Sequence, residues 1–237
     1  GRLYLYRYWQ YERCLADDLL QRASAMLETV DEARLRADLK RLYPRHPRLI
    51  GPDWQKVAAA VAVLKRLCVI SGGPGTGKTS TVLRILALLT GQVGTRPLRV
   101  ALAAPTGKAA ARLQEAIRAA KPSLGLKPER LAQIPEEAFT LHRLLGARPN
   151  SVYFRHDRDN PLPLDVLVVD EVSMVGLALM AKTVAALPPI ARLILLGDKD
   201  QLASVEAGAV LGEICAGAGG FSPEFQVRLE ALTGEGL

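Results

Sequence analysis

The run Gly72-Gly73-Pro74-Gly75-Thr76-Gly77-Lys78-Thr79 constrains this chain more than any other stretch of it. It fits the pattern G-x-x-x-x-G-K-[ST], whose glycines let the backbone curl until successive N–H groups converge on an anion. The pattern has meaning only between a strand and a helix, and both flanks are present. Residues 67–70 are apolar, and residues 78–89 read as an amphipathic helix. A helix that leaves such a loop aims its N-terminus at phosphate. Lys78 then reaches the β- and γ-phosphates of a nucleoside triphosphate. Thr79 offers its hydroxyl to Mg²⁺, and Ser80 follows in the first helical turn.

The rest of the chain repeats the alternation. Apolar strand candidates at 99–104, 166–169 and 192–196 are interleaved with helix candidates at 108–120, 176–187 and 207–215. Continuous apolar strands between helices predict an α/β fold with a mainly parallel sheet covered on both faces. Asp53 is placed as the N-cap of a helix over 54–66. Residues 1–50 form an N-terminal segment, an aromatic strand followed by helix. Residues 51–220 form the main domain. Within it, residues 121–164 are a proline-rich insertion with a short helix at 140–145 and a hairpin expected over 152–158. Residues 221–237 are expected to begin a linker.

Two more strand ends carry chemistry. Val166-Leu167-Val168-Val169 runs into Asp170 and Glu171. In doubly wound sheets ligands bind at the C-terminal edge. Asp170 is there to hold Mg²⁺, and Glu171 to orient and deprotonate an attacking water. Leu193 to Leu196 leads into Gly197-Asp198-Lys199-Asp200-Gln201, where Gln201 can sense a γ-phosphate. The chain has no NKxD-type guanine motif, which favours ATP over GTP.

Composition removes other classes. Of 237 residues, 49% are hydrophobic, too many for a disordered chain. The apolar run from Val57 to Leu64 is too short to span a bilayer, so no membrane partner is expected. Cys14, Cys68 and Cys215 are scattered and form no CxxC pair, which argues against zinc or a disulfide framework and for a reducing, cytoplasmic setting. The net charge of +7 is uneven: residues 51–163 carry net +10 and residues 164–237 net −6. A basic middle beside an acidic end suits a polyanion surface next to a cation site, as well as plain solvated charge.

Taken together, SGGPGTGKTS at 71–80, APTGKAAARL at 104–113, TLHRLLGA at 140–147, DVLVVDEVSM at 165–174 and LGDKDQLASVEAGAVLGEIC at 196–215 resemble motifs I to III of superfamily 1 helicases, and most of all the RecD family. DWQKVAAA at 53–60 is similar to the segment that holds the family's adenine-reading glutamine, here Gln55. The resemblance implies a RecA-like P-loop NTPase domain that binds ATP and Mg²⁺ and drives single-stranded DNA in the 5′ to 3′ direction. It also implies RecB-like and RecC-like partner subunits, and it leaves nuclease activity to the RecB chain. DNA contacts are carried onto Pro105, Thr106, Lys108, Arg112 and His142. The family's second RecA-like domain, with its transition-state arginines, is not matched in these residues, so hydrolysis by this chain alone is expected to be weak or absent. Two other readings fit the same residues: the motor of a conjugative relaxase, and a non-hydrolysing ATP-binding scaffold.

Overall fold

The computed structural model describes residues 5–25, 27, 29–44, 50–93, 97–201, 210–217 and 219–237. In chain order the elements are α1 (Tyr6–Ser24), α2 (Glu32–Leu42), α3 (Trp54–Leu64), β1 (Leu67–Ser71), α4 (Lys78–Gln92), β2 (Val100–Ala104), α5 (Gly107–Ala120), α6 (Pro128–Ala132), β3 (Ala138–Thr140), α7 (Leu141–Leu145), β4 (Val166–Val169), α8 (Leu177–Ala185), β5 (Arg192–Gly197), α9 (Val210–Ala216) and α10 (Pro223–Thr233). The strands form one parallel sheet in the order β1-β5-β4-β2-β3.

Side-chain alternation divides the core in two. Leu102, Val166, Val168, Ile194 and Leu196 face the helices α2, α3, α4, α5 and α10. Ala101, Ala103, Leu167, Val169, Leu193 and Leu195 face α1, α7, α8 and α9. All four residues of β4 have no exposed surface, as expected for a central strand covered on both faces. Each such Val or Leu contributes roughly 1.5–3 kcal/mol of burial free energy. With apolar residues filling the interior of the strands, polar residues emerge where the strands end.

The structure corrects several expectations. From Tyr6 onward the aromatic opening is helical, residues 1–4 lying outside the described set: α1 runs through Tyr6, Tyr8, Trp9 and Tyr11, and the true period is that of Leu15, Leu19 and Arg22, which are buried. Helical order over 12–42 is split into α1 and α2, with Asp31 capping the second by accepting from Arg34 N at 3.0 Å. β3 lies within the insertion and extends the sheet beyond β2, a strand the sequence reading did not foresee. The expected hairpin over 152–158 is reduced to one antiparallel bridge, Ala147 to Phe154. Residues 221–237 hold α10, packed on α2 and α3, where a linker was expected. Of the helix expected over 207–215, residues 207–209 lie outside the described set; 210–216 are helical. The Asp53 cap stands, with Oδ1 accepting from Gln55 N and Lys56 N. Among the described residues, no helix is long and apolar enough to cross a membrane.

The N-terminal helix is fastened to the sheet by one side chain. The Arg22 guanidinium is buried and donates to Leu187 O at 2.8 Å, Ala191 O at 2.7 Å and Pro189 O at 3.4 Å. Those carbonyls belong to the turn between α8 and β5. Arg22→Ala leaves them without these donors and should lower stability by about 2–4 kcal/mol. At roughly 2–4 °C per kcal/mol for a domain of this length, thermal melting would read the change directly.

Candidate nucleotide and DNA site

The phosphate loop leaves β1 tied to its neighbour. Gly72 N donates to Gly197 O at 3.1 Å, and Ser71 Oγ accepts from Lys199 N at 3.2 Å. The loop closes on itself where the Thr76 hydroxyl donates to Gly73 O at 2.8 Å. Gly77 has φ +81°, and a Cβ there would stand 2.7 Å from Gln55 Nε2. The left-handed backbone favours glycine here, and a Cβ would in addition push the Gln55 amide aside. Gln55 Nε2 donates to Thr76 O at 2.9 Å, so the first turn of α3 touches the loop. Lys78 Nζ lies along the loop, donating to Gly72 O at 2.5 Å and Gly73 O at 2.9 Å. A cleft of about 280 Å³ runs between α3 and the loop, lined by Trp54, Gln55, Ile70, Gly72, Thr76 and Lys78 among others.

β4 delivers the acids beside this loop, because β5 alone separates β4 from β1 in the sheet. Asp170 N donates to Ala103 O at 2.9 Å, so the residue stays anchored to β2. Its Oδ1 accepts from Glu171 N at 2.9 Å. Burial pushes the Asp170 carboxyl above its ordinary range; the Glu171 N–H opposes that, the Glu171 charge adds to it, and Lys78 opposes it. A half-buried carboxylate at the C-terminal edge of the sheet, close enough to Lys78 to feel its charge, is suited to a hard divalent cation. Glu171 has φ +54°, an uncommon value for a non-glycine residue. The left-handed step turns the chain sharply into a 3-10 turn, Val172–Met174. Strain of this kind persists where surrounding structure enforces it, and it clusters at functional sites.

Gln201 lies at the end of the segment after β5. Its Oε1 accepts from the Ser173 hydroxyl at 3.1 Å, and its backbone N donates to Asp198 O at 3.3 Å. Thr79 is half-buried at the start of α4, whereas Ser80 lines a different cleft with Arg41 and Arg84. Gly73, Pro74 and Gly75 form the outer turn of the loop, with Pro74 and Gly75 exposed.

The candidate DNA residues occupy the other half of the same sheet edge. β2 pairs with β3 in parallel, Ala104 opposite Thr140, so both chains leave the sheet side by side. Past β2, Pro105 leads to Thr106, whose Oγ1 caps α5 by accepting from Ala109 N at 3.2 Å. Lys108 and Arg112 are exposed on α5 one turn apart. Past β3, the Thr140 hydroxyl caps α7, and exposed His142 packs its ring edge-on to Phe154 at 5.8 Å. The sheet edge thus reads, in order, phosphate loop, Gln201 segment, acids, Thr106 loop, His142 helix.

Sequence reasoning missed Trp54 and Ser173. Trp54 is 61% exposed at the mouth of the cleft, and its signal was adjacency to Gln55. Ser173 stood inside the acidic motif, but its partner is distant in sequence and no local pattern announces it.

The model of the AAA domain family matches residues 55–207. The RecBCD enzyme subunit RecD of Mycobacterium tuberculosis (strain ATCC 25618 / H37Rv) is 49% identical over 237 residues, covering 98% of this chain and 38% of that protein. The RecBCD enzyme subunit RecD of Mycolicibacterium smegmatis is 51% identical over 221 residues, covering 92% of this chain and 38% of that protein. The ATP-dependent RecD2 DNA helicase of Deinococcus radiodurans is 47% identical over 146 residues, covering 62% of this chain and 17% of that protein. The chain therefore spans well under half the length of these relatives.

Asp170 yields a pH-dependent prediction. Because burial raises its folded pKa, the folded chain holds that proton more tightly than the unfolded chain does. The ionised carboxylate therefore costs stability above the folded pKa and costs none below the unfolded value of about 3.9. Asp170→Asn keeps an acceptor for Glu171 N and should melt higher than the parent at pH 8. The advantage should shrink as pH falls towards 4. Thermal melts of both proteins at the two pH values test the slope.

Proposed function

The chain belongs to the AAA domain family, and from this we propose that it is the ATP-hydrolysing motor domain of a RecD-type DNA helicase. The observation that carries the reading is the order of groups along one sheet edge: nucleotide residues on β1, β5 and β4, and an exposed cationic surface on β2 and β3. A motor must link those two activities, and here they are separated by one strand-to-strand step.

In this reading the glycine-loop N–H groups and the start of α4 cradle the phosphates. Lys78 moves from the loop carbonyls to the β- and γ-phosphates, and Gln55 reads the base. Thr79 and Asp170 would hold Mg²⁺, which when bound neutralises charge on the phosphates. Glu171 accepts the proton of the water that attacks the γ-phosphorus; the bond to the ADP oxygen breaks, and inorganic phosphate leaves. Gln201 senses the γ-phosphate. Single-stranded DNA lies over Pro105, Thr106, Lys108, Arg112 and His142, held mainly through its phosphates. Movement from 5′ to 3′, assembly with RecB-like and RecC-like subunits, and a cytoplasmic place of work complete the proposal by analogy with the RecD relatives.

Two measurements test it. Fluorescence anisotropy of a labelled single-stranded oligonucleotide should show binding that weakens steeply with salt. Lys108→Ala with Arg112→Ala should lower the magnitude of the log–log salt slope by roughly 1–2, since each lost phosphate contact removes about 0.7 for single strands. An unchanged slope would remove α5 from the DNA surface. Separately, Lys78→Ala should abolish binding of ATP and ADP in calorimetry; parent-like affinity would sink the phosphate-loop assignment.

A further inference from the structure

We infer that Ser173 is a positioning residue for the γ-phosphate response: it holds the Gln201 side chain so that the amide offers N–H, and not oxygen, to the terminal phosphate. The inference rests on the ATP-site reading above and goes beyond it. Gln201 is exposed and sits on a segment that follows β5, and an exposed glutamine ordinarily loses rotamer entropy when it is fixed. Here its Oε1 accepts from the Ser173 hydroxyl at 3.1 Å. Ser173 is itself 8% exposed, so the anchor is rigid although the side chain it holds is not buried.

Three features of the backbone bring the pair together. The left-handed Glu171 turns the chain immediately after the acids, and the 3-10 turn Val172–Met174 directs Ser173 across towards β5. Gly197 ends β5 without a Cβ; one built there would stand 3.2 Å from Ser173 N, tighter than ordinary contact. The same Gly197 accepts from Gly72 N, so the segment that leads to Gln201 starts against the phosphate loop. A phosphate on that loop repels Oε1 and attracts the amide N–H groups. The serine hydroxyl supplies the partner for the oxygen that must then face away. Two residues of the acid-bearing segment thereby acquire different tasks: Glu171 handles the proton, and Ser173 sets the reach of the sensor.

The test is the preference of this chain for triphosphate over diphosphate, measured by calorimetry with Mg²⁺, ADP and a non-hydrolysable ATP analogue. Ser173→Ala should leave ADP affinity intact and weaken the analogue about fivefold to tenfold. Ser173→Thr, which keeps the hydroxyl, should retain the parent preference. In a Gln201→Ala background, Ser173→Ala should add nothing, since the two then act as one unit. The inference is overturned if Ser173→Ala leaves the preference unchanged, or weakens both nucleotides equally, while Lys78→Ala still abolishes binding. Failure of the parent chain to bind either nucleotide would overturn the ATP-site reading itself.

Discussion

Strand β5 is hydrogen-bonded between β1 and β4, and the candidate site depends on that ladder. Its Leu193 to Leu196 core is almost wholly buried, so the strand cannot shift register without exposing apolar side chains or burying charge. Fixed register sets Ser71 opposite Gly197 and Leu195 opposite Val169. The loop after β1 and the acids after β4 are then held one strand apart. The conformation of the loop glycines matters only because this frame presents the loop to Asp170 and Lys78 to the same space.

The frame tolerates unfavourable features at the edge that it would not tolerate within. Asp170 carries a carboxyl made harder to ionise by burial, and Glu171 occupies a left-handed backbone conformation. Each costs of order 1 kcal/mol or more taken alone. They are neighbours at the end of the most buried strand, where packing of Val166 to Val169 more than offsets them. Arg22 works in the opposite sense. It is a buried charge satisfied by three carbonyls, and it fixes α1 across the turn that precedes β5.

The sequence was most legible where local pattern and burial agree. Four strands were readable within about one residue because each is an unbroken apolar run ending in polar chemistry, and Lys78, Asp170 and Gln201 followed from those ends, while Asp53 was readable as a helix cap. The misreadings have physical causes. Alternating tyrosines near the start imitate a strand, but the buried set Leu15, Leu19 and Arg22 has helical spacing. β3 is three residues, Ala-Phe-Thr, only half-buried, and offers too little signal to separate it from the loop around it. α10 carried readable signals in Ser222 as cap, Pro223 in the first turn and Gly234 after the last, but the glycine-rich surroundings masked them. The Ser173 to Gln201 contact joins two loops and could come only from the fold.

Coupling between the two halves of the edge has a short route available. Asp170 is bound through its own N–H to Ala103 O, and Ala103 is two residues before Pro105 on the strand that feeds the Thr106 loop. Val169 and Ala103 are paired partners in the parallel ladder, both without exposed surface. A tightly packed pair of this kind transmits displacement and does not absorb it. Any rearrangement that moves the Asp170 main chain must therefore either break that hydrogen bond or carry Ala103 with it. Thr106 is tied in turn to α5 through its cap on Ala109. The path from the Asp170 main chain to the cationic helix thus runs through one ladder bond, a short length of strand and one side-chain cap.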